Sequence, residues 1–362
     1  MPVDRSISRG VVLVTGGGGF IGRAVVERLI RRGWSVRSLS RNRYPDLERL
    51  GVQVVRGDLA DLDAVATAAR DCRIVFHVAA QAGVWGPYRD YHRTNVVGTR
   101  NVITACRRHG VSRLVLTSSP SVVFDGTDQS GVDESIAYPV RHHSHYSATK
   151  AIAERMVLQA NTDGLRTIAL RPHLVWGPRD NHIVPRLLDR RRRGQLRRIG
   201  RGDPLVDTTY IDNAADAHIL AADALVNNPR SAGRAYFITQ GQPVGIWTII
   251  NRILHAGGLP PVTRSIPRPV AMAAATIFET VHGALRIAAE PRLTRFVVRE
   301  LTSAHWFDIT AAERELGYQP TVSIEEGLRR LHRWLCPPRE AARDADHADA
   351  SGPPDPAVSR RT

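Results

Sequence analysis

The sequence is poor in lysine and in cysteine. Of its 50 basic residues only Lys150 is a lysine, and the other 49 are arginine. The three cysteines, Cys72, Cys106 and Cys336, lie far apart without CxxC spacing, which argues against a disulfide framework and against a zinc site. We therefore expect a protein of the reducing cytoplasm.

The sequence also lacks an apolar run long enough to cross a membrane. Its most hydrophobic stretch, residues 270–289, is interrupted by Glu279, His282 and Arg286, which leaves about half the length that a spanning helix needs. This stretch is predicted to be an amphipathic helix, packed in the core or lying at a surface. The first ten residues are mostly polar, so we expect no secretory leader.

The formal net charge of +15 would suit a nucleic-acid partner, but no nucleic-acid-binding motif accompanies it. The near-exclusive use of arginine indicates a compositional bias rather than a binding surface. Residues 186–201, with eight arginines among leucine and isoleucine, predict a helix and then a strand with a solvated basic face. An acidic partner or an anionic membrane is the alternative for this segment. We expect no nucleic-acid partner.

Strand and helix patterns alternate through the first half of the chain. Predicted strands cover residues 11–15, 35–40, 52–55, 74–80, 113–119 and 167–171. This order predicts an α/β protein with a Rossmann-like, doubly wound parallel sheet. We expect a dinucleotide-binding domain over residues 1–178, mainly a substrate-binding lobe over 179–336, and a disordered tail over 337–362.

A glycine-rich loop follows the first strand and opens the first helix. Its sequence TGGGGFIG fits both GxxGxxG, with Gly16, Gly19 and Gly22, and GxGxxG, which starts at Gly17 instead. In either pattern the glycines permit close approach of a pyrophosphate, with Phe20 and Ile21 at the electropositive start of the helix. In this strand-to-helix context the loop predicts dinucleotide binding.

The end of the second strand bears on which dinucleotide is bound. An NAD site usually has a carboxylate there, whereas this sequence has Ser40, Arg41 and Arg43, which can receive a 2′-phosphate. We expect a preference for NADP(H), with NAD(H) as the alternative. Asp58, at the end of the third strand, would contact the adenine amino group or would cap a helix.

Tyr146 and Lys150 are four residues apart at the start of a helix, which places both side chains on one face. A nearby ammonium stabilises a phenolate and can exchange a proton, which arginine does not do. We therefore predict that Tyr146 donates a proton and that Lys150 tunes it. Ser119, at the end of the preceding strand, is the predicted donor to the substrate oxygen, with Ser118 as the alternative.

Together with this loop, the motifs GDL (57–59), HVAA (77–80), TNVVGT (94–99), TSSPSVVF (117–124), YSATK (146–150) and LRPHLVWGP (170–178) resemble the extended short-chain dehydrogenase/reductase superfamily. SVVFDG before YSATK is similar to the 3β-hydroxysteroid dehydrogenase group. Further segments, among them QAGVWGPYRDYH and VDTTYIDNAADAH, look closer to bacterial 2-alkyl-3-oxoalkanoate reductases of olefin and β-lactone biosynthesis. The resemblance assigns Leu59, Ala79, Asn95 and Pro172 to the cofactor site. It further implies that Asn95 holds the active-site helix.

The resemblance implies NADPH-dependent reduction of the 3-oxo group of a long-chain 2-alkyl-3-oxoalkanoate. A 3β-hydroxysteroid or sterol dehydrogenase and, less favoured, an epimerase of nucleotide sugars are the alternatives. Several aromatic residues are expected near strand ends and favour an apolar substrate; these are Trp85, Tyr88, Trp176, Trp306 and Phe307. We expect no bound metal, a homodimer, and contact with partner enzymes of an acyl-condensing pathway or with a membrane surface.

Overall fold

The computed structural model describes residues 10–337, so all but the first residue of the predicted tail lies outside the described part of the chain. Its strands are β1 (Val11–Thr15), β2 (Ser35–Ser40), β3 (Gln53–Arg56), β4 (Cys72–His77), β5 (Arg113–Thr117), β6 (Gln129–Val132), β7 (Arg166–Pro172), β8 (Val175–Trp176), β9 (Arg198–Ile199), β10 (Leu205–Val206), β11 (Thr209–Tyr210), β12 (Arg234–Ile238), β13 (Val244–Gly245), β14 (Ser265–Ile266) and β15 (His305–Phe307).

The helices are α1 (Phe20–Arg31), α2 (Pro45–Arg49), α3 (Leu62–Ala69), α4 (Tyr88–Tyr91), α5 (Gly98–Arg108), α6 (His145–Gln159), α7 (Ile183–Arg192), α8 (Ile211–Asn227), α9 (Ile246–Ala256), α10 (Arg268–Ala284), α11 (Arg295–Glu300), α12 (Thr310–Leu316) and α13 (Ile324–Leu335). A π-helical turn, His92–Val97, joins α4 to α5, and 3₁₀ turns cover Pro120–Val122 and Pro229–Ser231.

Seven strands form a parallel sheet in the order β12-β7-β5-β4-β1-β2-β3. The pleat directs Val12 and Val14 into one buried cluster and Leu13 into another on the opposite face. Helices α3, α5 and α6 cover the face of Leu13, and α1 and α8 cover the other. The predicted Rossmann-like sheet is therefore confirmed, including the six strands expected from the sequence.

The seventh strand, β12, was not predicted. It is five residues long and lies at the sheet edge, paired with β7 from Arg234 opposite Ile168 to Ile238 opposite Pro172. Its segment follows proline- and glycine-rich loops that hide a regular strand pattern. Residues 179–336 thus contribute a strand and helix α8 to the parallel sheet and its helix layer. They also supply three strands of the small sheet β13-β10-β15-β6, whose fourth strand, β6, comes from the first part of the chain.

Two other predicted segments have the expected structure. Residues 186–201 contain most of helix α7 and the strand β9, as predicted. The hydrophobic stretch 270–289 contains most of α10, a helix of 17 residues. Over residues 10–337, no helix combines the length and hydropathy needed to cross a membrane.

Candidate active site

A cavity of about 570 Å³ opens at the carboxyl ends of the parallel strands. It is lined by residues that directly follow β1, β3 and β4 and by the last residues of β2, β5 and β7. Thirteen of the predicted site residues lie in this lining: Gly16, Gly19, Phe20, Ile21, Gly22, Arg41, Asp58, Leu59, Ala79, Ser119, Tyr146, Lys150 and Pro172. The strand ends thus bring together residues that are far apart in the sequence.

The glycine loop is packed too closely against the protein to hold larger residues. Gly16 has a φ of +69°, and a Cβ there would lie 3.0 Å from Cα of Ala79. A Cβ on Gly22 would collide with the carbonyl oxygen of Gly16. Helix α1 begins after Gly19, and among the described residues no side chain caps it and no acid lies in its first turn. Its amide end is therefore suited to a pyrophosphate.

The two arginines at the end of β2 differ in position. Arg41 lines the cavity, whereas Arg43 pairs with Glu48 at 2.9 Å and is not part of the described lining. In this structure Arg41 is therefore the better placed of the two to receive a 2′-phosphate, while the exposed Arg43 is paired with Glu48. Tyr44, which the sequence did not single out, also lines the cavity, and its ring lies against Gly18.

Asp58 lines the cavity, but it does not cap helix α3. Its carboxylate accepts the amide of Ala60 at 2.9 Å and pairs with Arg93 at 2.9 Å. Asp61, directly before the helix, is the residue that caps α3, accepting the amides of Asp63 and Ala64. The helix-cap alternative for Asp58 is therefore wrong, because the helix begins four residues later.

Tyr146 and Lys150 both lie in the first two turns of α6, which Ser144 caps by accepting the amide of Ser147 at 3.0 Å. Lys150 is 3% exposed, and its Nζ donates to the carbonyl oxygen of Thr117 at 2.5 Å. Burial lowers the pKa of Lys150 to about 8, while the Glu154 carboxylate opposes that shift. A lysine with this pKa can both hold a charge and exchange a proton near neutral pH.

Burial raises the pKa of Tyr146 above its usual value, and a hydrogen bond with Ser119 opposes that shift. Ser119 Oγ also contacts Ser121, at 3.0 Å from its hydroxyl and 3.2 Å from its amide. Ser118 is 4% exposed and its hydroxyl has no hydrogen-bond partner within the described residues. Both serines line the cavity, but Ser119 is the one that interacts with Tyr146.

Asn95 lies in the π-helical turn, outside the described cavity lining. Its amide nitrogen donates to Gln81 O at 3.1 Å and to Thr149 Oγ1 at 3.0 Å, and its oxygen accepts the amide of Gln81 at 2.7 Å. Asn95 therefore ties the loop after β4 to helix α6. It positions the helix that carries Tyr146 and Lys150 instead of lining the cofactor cavity.

Sequence reasoning missed a buried polar chain that continues from Asn95. Its carbonyl accepts from Thr99 at 2.6 Å, Thr99 contacts His77 Nε2 at 3.0 Å, and His77 Nδ1 contacts Thr15 at 2.8 Å. Thr15 also accepts the amide of Ala79 at 3.1 Å. The chain links the glycine loop to helix α6. A polar residue at the end of an otherwise apolar strand is the signal that could have revealed it.

A buried ion pair lies one turn beyond Lys150. Glu154 and Arg171 are 0% and 3% exposed at their side chains and are joined at 2.7 Å. Tyr138 donates its hydroxyl hydrogen to Glu154 at 2.6 Å. The charge of Glu154 favours the protonated form of Lys150, because opposite charges attract strongly away from water.

Much of the remaining wall of the cavity comes from three separate segments: residues 173–175, the region around the start of α7, and helix α11. It includes Leu174, Val175, Ile183 and Phe296. His173 also lines it and contacts His305 at 2.7 Å. The aromatic residues expected from the sequence do not belong to the described lining. Trp176, for example, is 1% exposed because it packs in the core.

Residues 13–268 match the model of the 3-beta hydroxysteroid dehydrogenase/isomerase family. The chain belongs to this family. It is 49% identical over 330 residues to a 2-alkyl-3-oxoalkanoate reductase of Shewanella oneidensis, covering 89% of this chain and 85% of the relative. A protein of the same name from Stenotrophomonas maltophilia is 49% identical, with 88% and 98% covered.

The mouse sterol-4-alpha-carboxylate 3-dehydrogenase, decarboxylating, is 34% identical, and the match covers 88% of each chain. Among solved structures, MoeE5 in complex with UDP-glucose and NAD aligns with a TM-score of 0.69 and 28% identity, covering 92% of this chain and 100% of that one. The resemblance to extended short-chain dehydrogenases/reductases is thereby confirmed. The chain is an oxidoreductase of the class that interconverts CH–OH and C=O groups.

Proposed function

We propose that this family member uses NADPH to reduce the 3-oxo group of long-chain 2-alkyl-3-oxoalkanoates to the 3-hydroxy acids. The observation that carries the proposal is the convergence of Ser119, Tyr146 and Lys150 in one cavity. The 49% identity to two reductases of that name supports the choice of substrate class.

The cavity suits a dinucleotide because Gly16, Gly19 and Gly22 line it without side chains, next to the amide end of α1. Gly16, Gly19 and Gly22, with Phe20 and Ile21, would hold the pyrophosphate. Asp58, Leu59 and Ala79 would contact the adenosine half, and Pro172 would meet the nicotinamide half. When bound, the reduced cofactor supplies the hydride that the carbonyl carbon accepts.

Arg41 supports the choice of NADPH over NADH. It lies in the cavity wall at the end of β2, where a carboxylate would repel a 2′-phosphate. Charge-assisted hydrogen bonds from a guanidinium to phosphate are stronger than neutral ones. Arg41 would therefore stabilise the phosphate that distinguishes the two cofactors.

Proton transfer is assigned to the chain's own side chains. Ser119 would donate a hydrogen bond to the ketone oxygen, and Tyr146 would transfer its hydroxyl proton to that oxygen as negative charge develops there. Lys150 would stabilise the resulting phenolate, and Thr117 O fixes the position of its Nζ. Asn95 would keep α6 in place during the reaction.

The apolar part of the cavity supports an alkyl-chain substrate. Leu174, Val175, Ile183 and Phe296 line it beyond the catalytic side chains. A sterol would suit the same lining, and the 34% identity to a sterol-4-alpha-carboxylate dehydrogenase makes sterol oxidation the second candidate.

The test is turnover by the purified chain with NADPH and with NADH, followed by the loss of cofactor absorbance. The substrates are a 2-alkyl-3-oxo acid, a 3-ketosteroid and a UDP-sugar. We expect reduction of the oxo acid with NADPH at the highest kcat/KM. Faster turnover of the steroid would replace the substrate assignment, and equal use of NADH would overturn the cofactor assignment.

A further inference from the structure

Helix α10 presents apolar side chains to solvent. Val270, Ile277 and Val281 are 56%, 61% and 44% exposed, and Leu285, directly after the helix, is 68% exposed. Their spacing of seven, four and four residues places them on one helical face. The buried face is formed by small residues, Ala271 and Ala275. The helix therefore has an apolar face toward water as well as one toward the protein.

The charged residues of the C-terminal half of α10 have partners in the protein. Glu279 is 15% exposed at its side chain and accepts hydrogen bonds from the amide and Nε of Arg295, at 2.7 and 2.5 Å. The ring of His282 packs edge-on against Trp85. A surface helix ordinarily directs its charges to water and its apolar residues to the core. In α10 this arrangement is reversed, which is typical of a surface that binds something apolar.

Arginines lie near both ends of this apolar face. Arg264 and Arg268 lie at or before the start of α10, and Arg286 and Arg292 follow its end. All four are exposed, and no acidic side chain within residues 10–337 pairs with any of them. A second copy of this chain would bring the same positive charges against them, whereas an anionic surface would neutralise them.

The C-terminal end of α10 lies next to the wall of the active-site cavity. Trp85 Nε1 donates to the carbonyl oxygen of Ile287 at 3.1 Å. Residues 82–84, directly before Trp85, line the cavity. The segment that follows α10 is therefore joined to Trp85, the neighbour in sequence of the cavity-lining residue Val84.

We propose that α10, with Leu285 and the four flanking arginines, is a docking surface for an anionic lipid bilayer. At 17 residues the helix is about 26 Å long and would lie in the plane of the interface with its apolar face among the acyl chains. Arginine guanidinium groups would bind lipid phosphates at both ends. Entry of an alkyl-chain substrate from that bilayer rests on the proposed function; the docking itself does not.

The test is cosedimentation of the full chain with vesicles of phosphatidylcholine alone or mixed with phosphatidylglycerol. We expect binding to the anionic vesicles, weakening with added salt, and little binding to phosphatidylcholine alone. The double variant Ile277→Asp/Leu285→Asp should bind anionic vesicles at least about tenfold more weakly. Arg268→Gln/Arg286→Gln should weaken only the part of the binding that depends on phosphatidylglycerol.

The matched control is Val226→Asp, which changes a side chain that is 54% exposed on α8 and should leave vesicle binding unchanged. Failure to bind either vesicle, or equal weakening by the control, would overturn the proposal. If the protein bound no vesicles but formed a dimer that Ile277→Asp dissociated, the face would be assigned to a second copy of the chain. Turnover of a short, soluble oxo acid without lipid tests the proposed function separately.

Discussion

The two sides of the cavity are built differently. The cofactor side consists of backbone turns that directly follow parallel strands, together with helix α6. Behind it, Thr15, His77, Thr99 and Asn95 form a buried hydrogen-bonded chain. The substrate side comes from three separate segments, and its region around α7 includes the exposed residues 181 and 182. The comparison indicates that the proposed cofactor side is held by a buried hydrogen-bonded chain, whereas the proposed substrate side draws on separate and partly exposed segments.

The largest effect should follow a change on the cofactor side. Lys150→Arg places a larger planar group at a buried position where Nζ donates to Thr117 O at 2.5 Å. Because guanidinium also does not exchange its proton, we expect kcat to fall about 10²-fold, equivalent to roughly 2.7 kcal/mol. Steady-state kinetics with NADPH would measure this, with the exposed Arg107→Lys as the control.

Tyr146→Phe should lose at least as much activity as Lys150→Arg. The double variant should be far less than additive, because the two side chains act as one unit. Melting temperatures should show that all three variants fold. A Lys150→Arg enzyme that retains more than about half the wild-type kcat would contradict the proton-transfer role assigned here.

The second prediction distinguishes two neighbouring arginines of the cofactor side. Arg41→Ala should reduce the preference for NADPH over NADH by about 10- to 100-fold, because it removes charge-assisted hydrogen bonds worth about 1.5–3 kcal/mol. Arg43→Ala is the matched control, since Glu48 binds Arg43 outside the described lining. Dissociation constants of the wild-type protein and both variants for NADPH and NADH would measure this preference. Equal effects from both variants would argue against a specific role of Arg41.

The features of the fold and of the site differ in how far the sequence alone could predict them. The glycine loop, the strands β1 to β5 and β7, and the Tyr146–Lys150 spacing are local patterns, so they could be predicted from residue order alone. The partners of Arg43 and Asp58 depend on side-chain geometry, which the motif does not specify. His173 and Phe296 join the cavity only through tertiary packing. The edge strand β12 is as long as β1 and β5, but it lies outside the regular strand-and-helix alternation by which those strands were predicted.

The third prediction concerns pH. Because burial lowers the pKa of Lys150 to about 8, its ammonium loses a proton as pH rises through that value. We expect kcat/KM for ketone reduction to fall by about tenfold per pH unit above 8. NADPH binding, followed by fluorescence over the same range, controls for loss of cofactor. A flat profile up to pH 10 would show that the charge on Lys150 is not required.

The smallest effect should come from the substrate side. Phe296 lines the cavity and packs edge-on against Phe124, with ring centroids 6.2 Å apart. Because Phe296→Ala removes apolar surface that an alkyl chain would contact, it should raise KM for a long-chain oxo acid about three- to tenfold. The affinity for NADPH should not change, because Phe296 belongs to the part of the lining assigned to the substrate under the proposed function. Trp334→Ala, at a half-exposed residue of α13, is the control. If Phe296→Ala weakened NADPH binding as much as it raised KM, the two sides would be mechanically coupled, and the contrast between the two sides would fail.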